Sequence, residues 1–252
     1  MEVLQQRPTA CNACKDGHSE PFPFTMAFQP IVNVEQGSVY AYEALARGPE
    51  QQSAAFVLGQ VNDENLYAFD QSCRVKAITL AAQLGLAETG ALLSINFMPG
   101  AVYSPSACIQ LTLKTARALN FPLDRLIFEI VEVEKVASPQ HLMNIVNEYR
   151  NCGFRLALDD FGAGWAGLGL LADLQADAVK LDIDLIRGIH NRPRALAIVE
   201  AIAQLSQSLN FDVVAEGVET FDEYHALRDC GIHLMQGYLF ARPAEGFPAP
   251  KF

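Results

Sequence analysis

The sequence predicts an α/β protein with a closed (β/α)8 barrel of the TIM type that contains one antiparallel strand. Eight short apolar segments of strand character follow one another along the 252 residues, and most are separated by a helical segment. Such alternation is typical of parallel βαβ units, and eight of them suit a closed barrel. The first two segments form a hairpin, which makes one strand antiparallel. A doubly wound open sheet is the alternative, but no Gly-x-Gly-x-x-Gly turn follows the first strand.

Each element is predicted from its own local pattern. Strands 27–32 and 39–46 flank a turn at 35–38, and helix 66–84 spaces its apolar residues three and four apart before Gly85. A stripe of Ile198, Ile202, Leu205 and Leu209 predicts the buried face of a later helix. The other predicted strands are 92–97, 126–130, 154–158, 178–181, 212–215 and 232–236, and the other helices are 106–119, 139–151, 194–209 and 221–230.

Composition excludes several classes of protein. The formal net charge of −11 disfavours a polymeric nucleic acid as partner. No apolar run approaches the ~20 residues of a membrane span, and the N-terminus lacks an apolar signal segment, so we expect a cytoplasmic protein. Residues 1–23 are expected to form an arm and residues 24–252 the barrel domain.

The cysteines fall into two groups. Those at 73, 108, 152 and 230 are scattered through apolar or helical segments and are expected to be reduced thiols. Cys11 and Cys14 form a Cys-x-x-Cys pair, which is found in zinc sites and redox pairs. No second pair follows at zinc-finger spacing, so two thiols on a loose arm are expected.

Polar residues lie in or just after almost every predicted strand, although buried parallel strands are normally apolar throughout. The carboxyl ends of barrel strands meet at one rim, where the active sites of such barrels lie. Carboxylate and amide oxygens suit Mg²⁺, Mn²⁺ or Ca²⁺, and their number suits a two-metal centre for phosphodiester hydrolysis. The residues concerned are Gln29, Glu43, Asn96, Glu129, Asp159, Asp160, Lys180, Glu216 and Gln236.

The adjacent carboxylates Asp159 and Asp160 need a special backbone to serve one site. Neighbouring strand residues point to opposite faces, so we expect the strand to stop at Asp159 and the chain to turn there, helped by Gly162 and Gly164. A buried Lys180 needs a carboxylate partner. It is expected to position a water or contact phosphate, and a salt bridge to Asp182 is the structural alternative.

These motifs resemble the EAL domain, the family of cyclic di-GMP phosphodiesterases. Glu43-Ala44-Leu45 resembles the motif that gives the family its name, and the resemblance extends over residues 26–243. Its other motifs begin at Gln29, Ser94 (Ser-Ile-Asn-Phe, which contains Asn96), Glu129, Asp159, Lys180, Ala215 and Gln236.

The resemblance implies hydrolysis of cyclic di-GMP to linear 5'-pGpG with Mg²⁺ or Mn²⁺, with Ca²⁺ inhibitory. It implies one metal on Glu43, Asn96, Glu129 and Asp159, and a second on Asp159, Asp160 and Glu216. Lys180 would help orient or deprotonate the attacking water, with Gln236 near it, and Glu43, Asp160 and Glu216 would be catalytic through the metals they hold. Substrate contacts are expected from Gln29, Arg47, Asp182, Gln236 and Pro243, and loop positioning from Glu132 and Glu219.

Departures from the family pattern concern regulation and loops rather than ligands. Gly48 and Pro49 follow Arg47, a variant that resembles EAL domains fused to blue-light sensors, and Trp165 stands where Tyr is common. The first 23 residues are too short for a sensor domain, so regulation is expected from a homodimer, a protein partner or the Cys11/Cys14 arm.

Two alternatives to the hydrolase stay open. A silent cyclic di-GMP receptor would act through a protein partner, and a lyase or aldolase would use Lys180 as electrophile or base.

Overall fold

Eight strands form the centre of the molecule, which is a computed structural model that describes residues 20–131, 139–163 and 167–252. The strands close into a single barrel in the order of the sequence. They are β1 Thr25–Asn33, β2 Ser38–Arg47, β3 Leu92–Phe97, β4 Leu126–Val131, β5 Arg155–Phe161, β6 Ala178–Leu181, β7 Asp212–Ala215 and β8 Leu234–Met235. Because each predicted strand has its counterpart here, the predicted fold class is confirmed.

Helices follow the strands on the outside of the barrel. They are α1 Ala54–Leu58, α2 Leu66–Gln83, α3 Pro105–Cys108, α4 Gln110–Ala118, α5 Pro139–Asn151, α6 Gly167–Asp173, α7 Ile183–Ile186, α8 Pro193–Leu209 and α9 Phe221–Asp229. Local chemistry sets several of their ends. Thr220 and Glu223 form a capping box at the start of α9, and Gly85 takes a left-handed conformation (φ 77°) after α2. Among the described residues, no helix combines the length and apolarity that crossing a membrane requires.

The first strand is the antiparallel one. β1 runs antiparallel to both of its neighbours, β2 and β8, and every other neighbouring pair in the barrel is parallel. The antiparallel register places Gln29 opposite Glu43, and the parallel register of β3 and β4 places Asn96 opposite Glu129. These two registers therefore place predicted site residues of neighbouring strands at the same height in the barrel.

The central strand does not stop at Asp159, and this part of the prediction was wrong. β5 continues to Phe161, and its pairing with β6 shifts between Leu158 and Phe161. Asp160 takes the left-handed conformation (φ 53°) at this bulge. A bulge re-aims side chains without ending a strand, and Asp tolerates this region better than most residues. The expected change of direction is present, but within the strand.

Three other element predictions need correction. The helix predicted over 106–119 is interrupted at Ile109, and the last strand is only two residues long. The predicted stripe on α8 is wrong for Ile198 and Leu209, which are more than half exposed, whereas Ile202 is buried and Leu205 packs against the core. The residues that α8 buries are Ala195, Val199, Ile202 and Ala203. Their spacing is equally helical, and the small Ala side chains let this face pack closely.

The described part of the chain begins with a segment packed on α2. The Phe22 ring stacks on Phe69 at 5.5 Å, and Glu20 pairs with Lys76 at 2.7 Å. The arm predicted for residues 1–23, with Cys11 and Cys14, lies mostly outside the described residues and stays a prediction. No disulfide joins the cysteines of the described ranges, and those at positions 73 and 108 are buried.

Candidate active site

An apolar layer fills the barrel interior below the candidate site. One buried residue from each strand contributes to it, and these residues contact one another. They are Ile31, Ala41, Leu92, Ile127, Ala157, Ala178, Val214 and Leu234. Since side chains alternate along a strand, the residue two positions nearer the carboxyl end shares this inward face. For β2 and β4 to β8, that residue is one of the polar residues singled out from the sequence.

Lys180 lies at the centre of this polar layer, with only 1% of its surface exposed. Its Nζ atom lies 2.7 Å from Glu216 Oε1, 2.8 Å from Glu129 Oε2, 3.0 Å from Asp159 Oδ1 and 3.6 Å from Glu43 Oε1. Four strands therefore direct carboxylates at one ammonium group. The expectation of a carboxylate partner for Lys180 is confirmed.

Glu43 receives hydrogen bonds from two amide side chains. Asn96 Nδ2 donates to its Oε1 at 2.9 Å, and Gln236 Nε2 donates to its Oε2 at 2.8 Å. On the neighbouring carboxylate, Ser94 Oγ donates to Glu129 Oε1 at 2.5 Å. These donors fix the orientation of both carboxylates without neutralising them.

Two overlapping carboxylate groups could each hold a cation. Oxygen atoms of Glu43, Glu129 and Asp159 lie within 4.8 Å of one another, and the same holds for Asp159, Asp160 and Glu216. Oxygen ligands on opposite sides of a divalent ion lie about 4 to 5 Å apart. Asp159 belongs to both groups, which is the arrangement expected from the sequence. The bulge at Asp160 makes this sharing possible, since a regular strand would turn that carboxylate to the other face.

Electrostatics show how far this cluster lacks positive charge. Burial raises the pKa of Glu129 well above its usual value despite Lys180, and like charges on Glu43 and Asp159 add to the effect. Burial likewise raises the pKa of Glu216 to about 8, with Asp159 contributing. Burial also raises the pKa of Asp160, and the negative charges of Asp159 and Asp182 add to this effect. One ammonium group therefore does not compensate the surrounding carboxylates.

The donor set fits hard divalent cations. Asp159 Oδ1 is buried and accepts no hydrogen bond from the described residues, although Lys180 lies at ion-pair distance. All the acidic ligands offer oxygen, which Mg²⁺, Mn²⁺ and Ca²⁺ prefer, and a cation would favour the ionised form of each raised carboxyl group. The donor set and its unbalanced negative charge are therefore compatible with a divalent cation.

The two remaining charged groups of the centre behave differently. Burial disfavours ionisation of Glu43, but Lys180, Gln236 and Asn96 outweigh burial and lower the pKa. Burial also disfavours the charged form of Lys180, but Asp159, Glu129, Glu216 and Glu43 raise its pKa well above the usual value. Lys180 is therefore held as an ammonium ion.

The residues expected to bind substrate lie around the cluster. Gln29 is 8% exposed, and its Nε2 donates to Ala241 O at 3.1 Å. Arg47 ends β2, where its Nη1 donates to the carbonyl of Ala46 at 2.8 Å. Pro243 is half-buried and precedes a residue that pairs with β1 beside Gln29. In the described part of the chain, these three residues form no hydrogen bond or ion pair with a carboxylate of the cluster.

Asp182 does not form the salt bridge considered for it. Its Oδ1 instead accepts a hydrogen bond from the Asp184 backbone at 2.8 Å and caps α7. The partners of Lys180 come from four other strands, so the salt-bridge alternative is wrong.

Of the two residues expected to position loops, Glu219 lies within the described residues and Glu132 does not. The Glu219 side chain pairs with Arg187 at 2.8 Å, and its backbone N–H donates to Glu223 at 3.0 Å. Glu223 also accepts from Gly188 N at 2.9 Å, so it ties the loops that follow β6 and β7 together. Glu132 lies outside the described residues, and so does Trp165.

Sequence reasoning missed two contributors. Ser94 was read only as part of a motif, although its position two residues before Asn96 places both on one face of β3. Asp70 lies on α2 and contacts the backbone just after β3. Asp70 and Arg74 lie one helical turn apart in the sequence of α2, but ordinary surface pairs have the same spacing, so the pattern carries no specific signal for Asp70.

Comparisons with known proteins identify the family. The family model described as EAL domain matches residues 21–243. The blue light- and temperature-regulated antirepressor BluF of Escherichia coli (strain K12) is 32% identical over 88% of this chain and 55% of its own length. The probable cyclic di-GMP phosphodiesterase PdeG of the same strain is 30% identical over 92% of this chain and 46% of its own. The chain thus spans about half the length of these relatives.

Solved structures agree with this result. A standalone EAL protein from Vibrio cholerae O395, in its cyclic di-GMP-bound form, is 47% identical with a TM-score of 0.88, over 92% of this chain and 98% of that chain. A manganese and cyclic di-GMP complex of Klebsiella pneumoniae BlrP1 is 35% identical with a TM-score of 0.85, over 93% of this chain and 59% of that chain. A calcium complex of BlrP1 is similar, with a TM-score of 0.85 and 34% identity over the same shares of the two chains. The barrel, the ordered motifs and these matches show that the chain belongs to the EAL domain family.

Proposed function

We propose that this protein is a metal-dependent phosphodiesterase that hydrolyses cyclic di-GMP to linear 5'-pGpG. The single observation that carries the proposal is the pair of carboxylate groups that share Asp159 around Lys180. Relatives named as cyclic di-GMP phosphodiesterases and structures containing cyclic di-GMP support the substrate.

Glu43, Asn96, Glu129 and Asp159 would hold one divalent cation, and Asp159 with Asp160 and Glu216 a second. Bound Mg²⁺ or Mn²⁺ would lower the pKa of a water and balance charge on the phosphoryl oxygens. The calcium complex of BlrP1 holds cyclic di-GMP, which supports Ca²⁺ occupying such a site. Whether Ca²⁺ inhibits here stays a prediction.

The protein side chains hold the reacting groups in place. The Lys180 ammonium has three N–H groups, and three carboxylate oxygens lie within 3.0 Å of it. It would donate to the attacking water once bound cations take over part of its role as partner of these carboxylates. In the metal-free site the surrounding carboxylates raise the pKa of Lys180, and an ammonium ion can orient a water but cannot remove its proton. Gln236 and Asn96 keep Glu43 in its binding orientation. The guanidinium of Arg47 suits a phosphate oxygen by charge-assisted hydrogen bonds.

The state of Lys180 also bears on the lyase or aldolase alternative. A lysine that forms a Schiff base or removes a proton must be neutral, which enzymes achieve by lowering its pKa. Here the surrounding carboxylates raise it instead. This observation supports the hydrolase over carbon–carbon bond chemistry.

A silent receptor is the second candidate. It is favoured by the similarity to BluF, which is named as an antirepressor. The complete set of acidic residues and Lys180 supports the hydrolase instead, since a receptor does not require them. A homodimer, a regulatory protein partner and a cytoplasmic location stay predictions in either case.

Chromatography of a cyclic di-GMP digest separates the two candidates. We expect 5'-pGpG with Mn²⁺ or Mg²⁺ and none after chelation. Glu43→Ala should abolish turnover because it removes a proposed metal ligand, whereas Glu35→Ala on the exposed hairpin turn should not. Tight binding of cyclic di-GMP without product would establish the receptor, and turnover that survives chelation would contradict the metal mechanism.

A further inference from the structure

A buried ion pair lies between α2 and the barrel, outside the carboxylate cluster. Asp70 is 2% exposed and Arg74 fully buried, and Asp70 Oδ2 lies 2.7 Å from Arg74 Nη2. The Arg74 guanidinium lies 5.3 to 5.5 Å from the ring centroids of Phe97, Phe128 and Tyr149. Arg74 also donates to the Tyr149 hydroxyl. Buried ion pairs often contribute little net stability, so this one requires another explanation.

The second oxygen of Asp70 supplies that explanation. Asp70 Oδ1 accepts a hydrogen bond from the backbone N–H of Met98 at 3.0 Å. Met98 immediately follows β3, two residues after Asn96, whose amide donates to Glu43 at 2.9 Å. Asp70, Asn96, Met98 and Asp159 also line one cavity of about 310 Å³. The ion pair is therefore connected to the candidate site through a single stretch of backbone.

We propose that Asp70, oriented by Arg74, is a positioning residue that fixes the backbone after β3 and thereby holds Asn96 against Glu43. The Asn96 amide nitrogen then donates its hydrogen bond to Glu43, and the amide oxygen remains available to bind a cation. Only this last step rests on the proposed function. The anchoring of Met98 and the orientation of Asn96 do not depend on it.

Arg74 restricts the rotation of the Asp70 carboxylate. A carboxylate on a helix can rotate about its side-chain torsions, and a second partner removes that freedom. Arg74 holds Oδ2, while the three aromatic rings and the Tyr149 hydroxyl hold Arg74. Oδ1 is then directed at one backbone N–H rather than at solvent. Groups that contact metal ligands on the side away from the metal, and so orient them, typically contribute about 10- to 100-fold to metal affinity.

The test must separate positioning from folding. Asp70→Ala alone would leave Arg74 buried without its partner, which strongly destabilises a protein. Two double variants avoid this problem because Arg74→Met places an apolar side chain among the rings. Asp70→Ala with Arg74→Met removes the acceptor for Met98. Asp70→Asn with Arg74→Met keeps an acceptor oxygen for Met98. Gln71 Nε2 donates to Asp70 Oδ2 at 3.3 Å, and a turn of the Gln71 amide would present its unpartnered Oε1 to the new Asn amide instead.

Three readouts follow the proposal step by step. They are hydrogen exchange of the Met98 amide, the NMR signals of the Asn96 side-chain amide, and titration with Mn²⁺ without substrate. In the Ala double variant we expect exchange at Met98 to be about 10-fold faster, the Asn96 signals to shift, and Mn²⁺ binding to weaken about 10-fold or more. The Asn double variant keeps the acceptor oxygen but lacks Arg74, so in all three readouts we expect it to lie closer to the unmodified protein than the Ala double variant does, with the remaining difference caused by the loss of orientation by Arg74.

Each other outcome overturns part of the reasoning in a recognisable way. If both double variants resemble the unmodified protein, or both are impaired equally, the acceptor oxygen of Asp70 has no positioning role. If Met98 exchanges faster but Asn96 and Mn²⁺ binding are unchanged, the link from this backbone to the site is refuted. If the unmodified protein binds no Mn²⁺, the proposed function fails, while Met98 exchange and the Asn96 signals still decide the positioning.

Discussion

Replacing Lys180 with Met tests whether one ammonium group holds the carboxylate cluster together. Four carboxylate oxygens lie 2.7 to 3.6 Å from its Nζ, and the side chain is 2% exposed. Removing one partner of a buried ion pair costs about 3 to 5 kcal/mol. For a chain of this size, about 2 to 4 °C of melting temperature corresponds to 1 kcal/mol, so we expect a decrease of about 6 to 20 °C without metal. Lys114→Met, at an exposed position on α4, is the matched control and should change little.

The assays are thermal unfolding, which gives the melting temperature, and urea unfolding, which gives the free energy of unfolding. Both are followed by circular dichroism, with chelated protein and again with Mn²⁺. Mn²⁺ should stabilise the Lys180→Met variant more than the unmodified protein, because the cation replaces part of the missing positive charge. Turnover at saturating Mn²⁺ should fall about 100- to 1,000-fold, since a preorganised donor near the reacting groups is lost. A chelated variant within about 1 kcal/mol of the unmodified protein would refute the assignment of Lys180 as the compensating charge.

Three further predictions concern the rest of the site. Gly237→Ala would place a Cβ 2.0 Å from the Val218 carbonyl oxygen, so we expect a loss of about 1 to 3 kcal/mol in urea unfolding together with lower turnover; Gly90→Ala meets nothing within 4 Å and should change neither. Ca²⁺ in place of Mn²⁺ should stop formation of 5'-pGpG in the chromatographic assay, and equal rates with the two ions would contradict this. Glu132→Ala should slow turnover with an unchanged circular dichroism spectrum, and unaltered kinetics would show that it does not position the loop.

The barrel and most of its polar layer could be predicted because both follow from short-range periodicity. Strand character and turn residues locate eight segments, and the alternation of side chains assigns Glu43, Glu129, Asp159 and Lys180 to one face. Closure then brings these residues together. The sequence alone could not give the partners of Lys180, because they come from strands far apart in the chain.

The bulge at Asp160 and the ion pair behind β3 could not be predicted in the same way. A Gly-rich segment after two aspartates fits a strand that ends as well as a strand that bulges, and only the pairing with β6 distinguishes the two. Asp70 and Arg74 have the spacing of an ordinary surface pair on a helix. Their burial depends on where β3, β4 and α5 place their aromatic rings, and helical periodicity carries no information about that.

The position of the polar layer explains how the barrel tolerates so much buried charge. Directly below it, one apolar residue from each strand fills the barrel and contacts its neighbours. Because the residues of this layer are closely packed, they fix the backbone of each strand just before its polar residue. The carboxylates therefore cannot move apart to relieve their repulsion. Glu129 and Glu216 instead carry raised pKa values, which is the expected result when geometry is fixed and charge is unbalanced. A rigid site of this kind should bind a divalent cation more tightly than a flexible site would, because its ligands need no reorganisation before binding. The apolar layer, although it contributes no ligand, is therefore as much a part of the proposed metal site as the carboxylates above it.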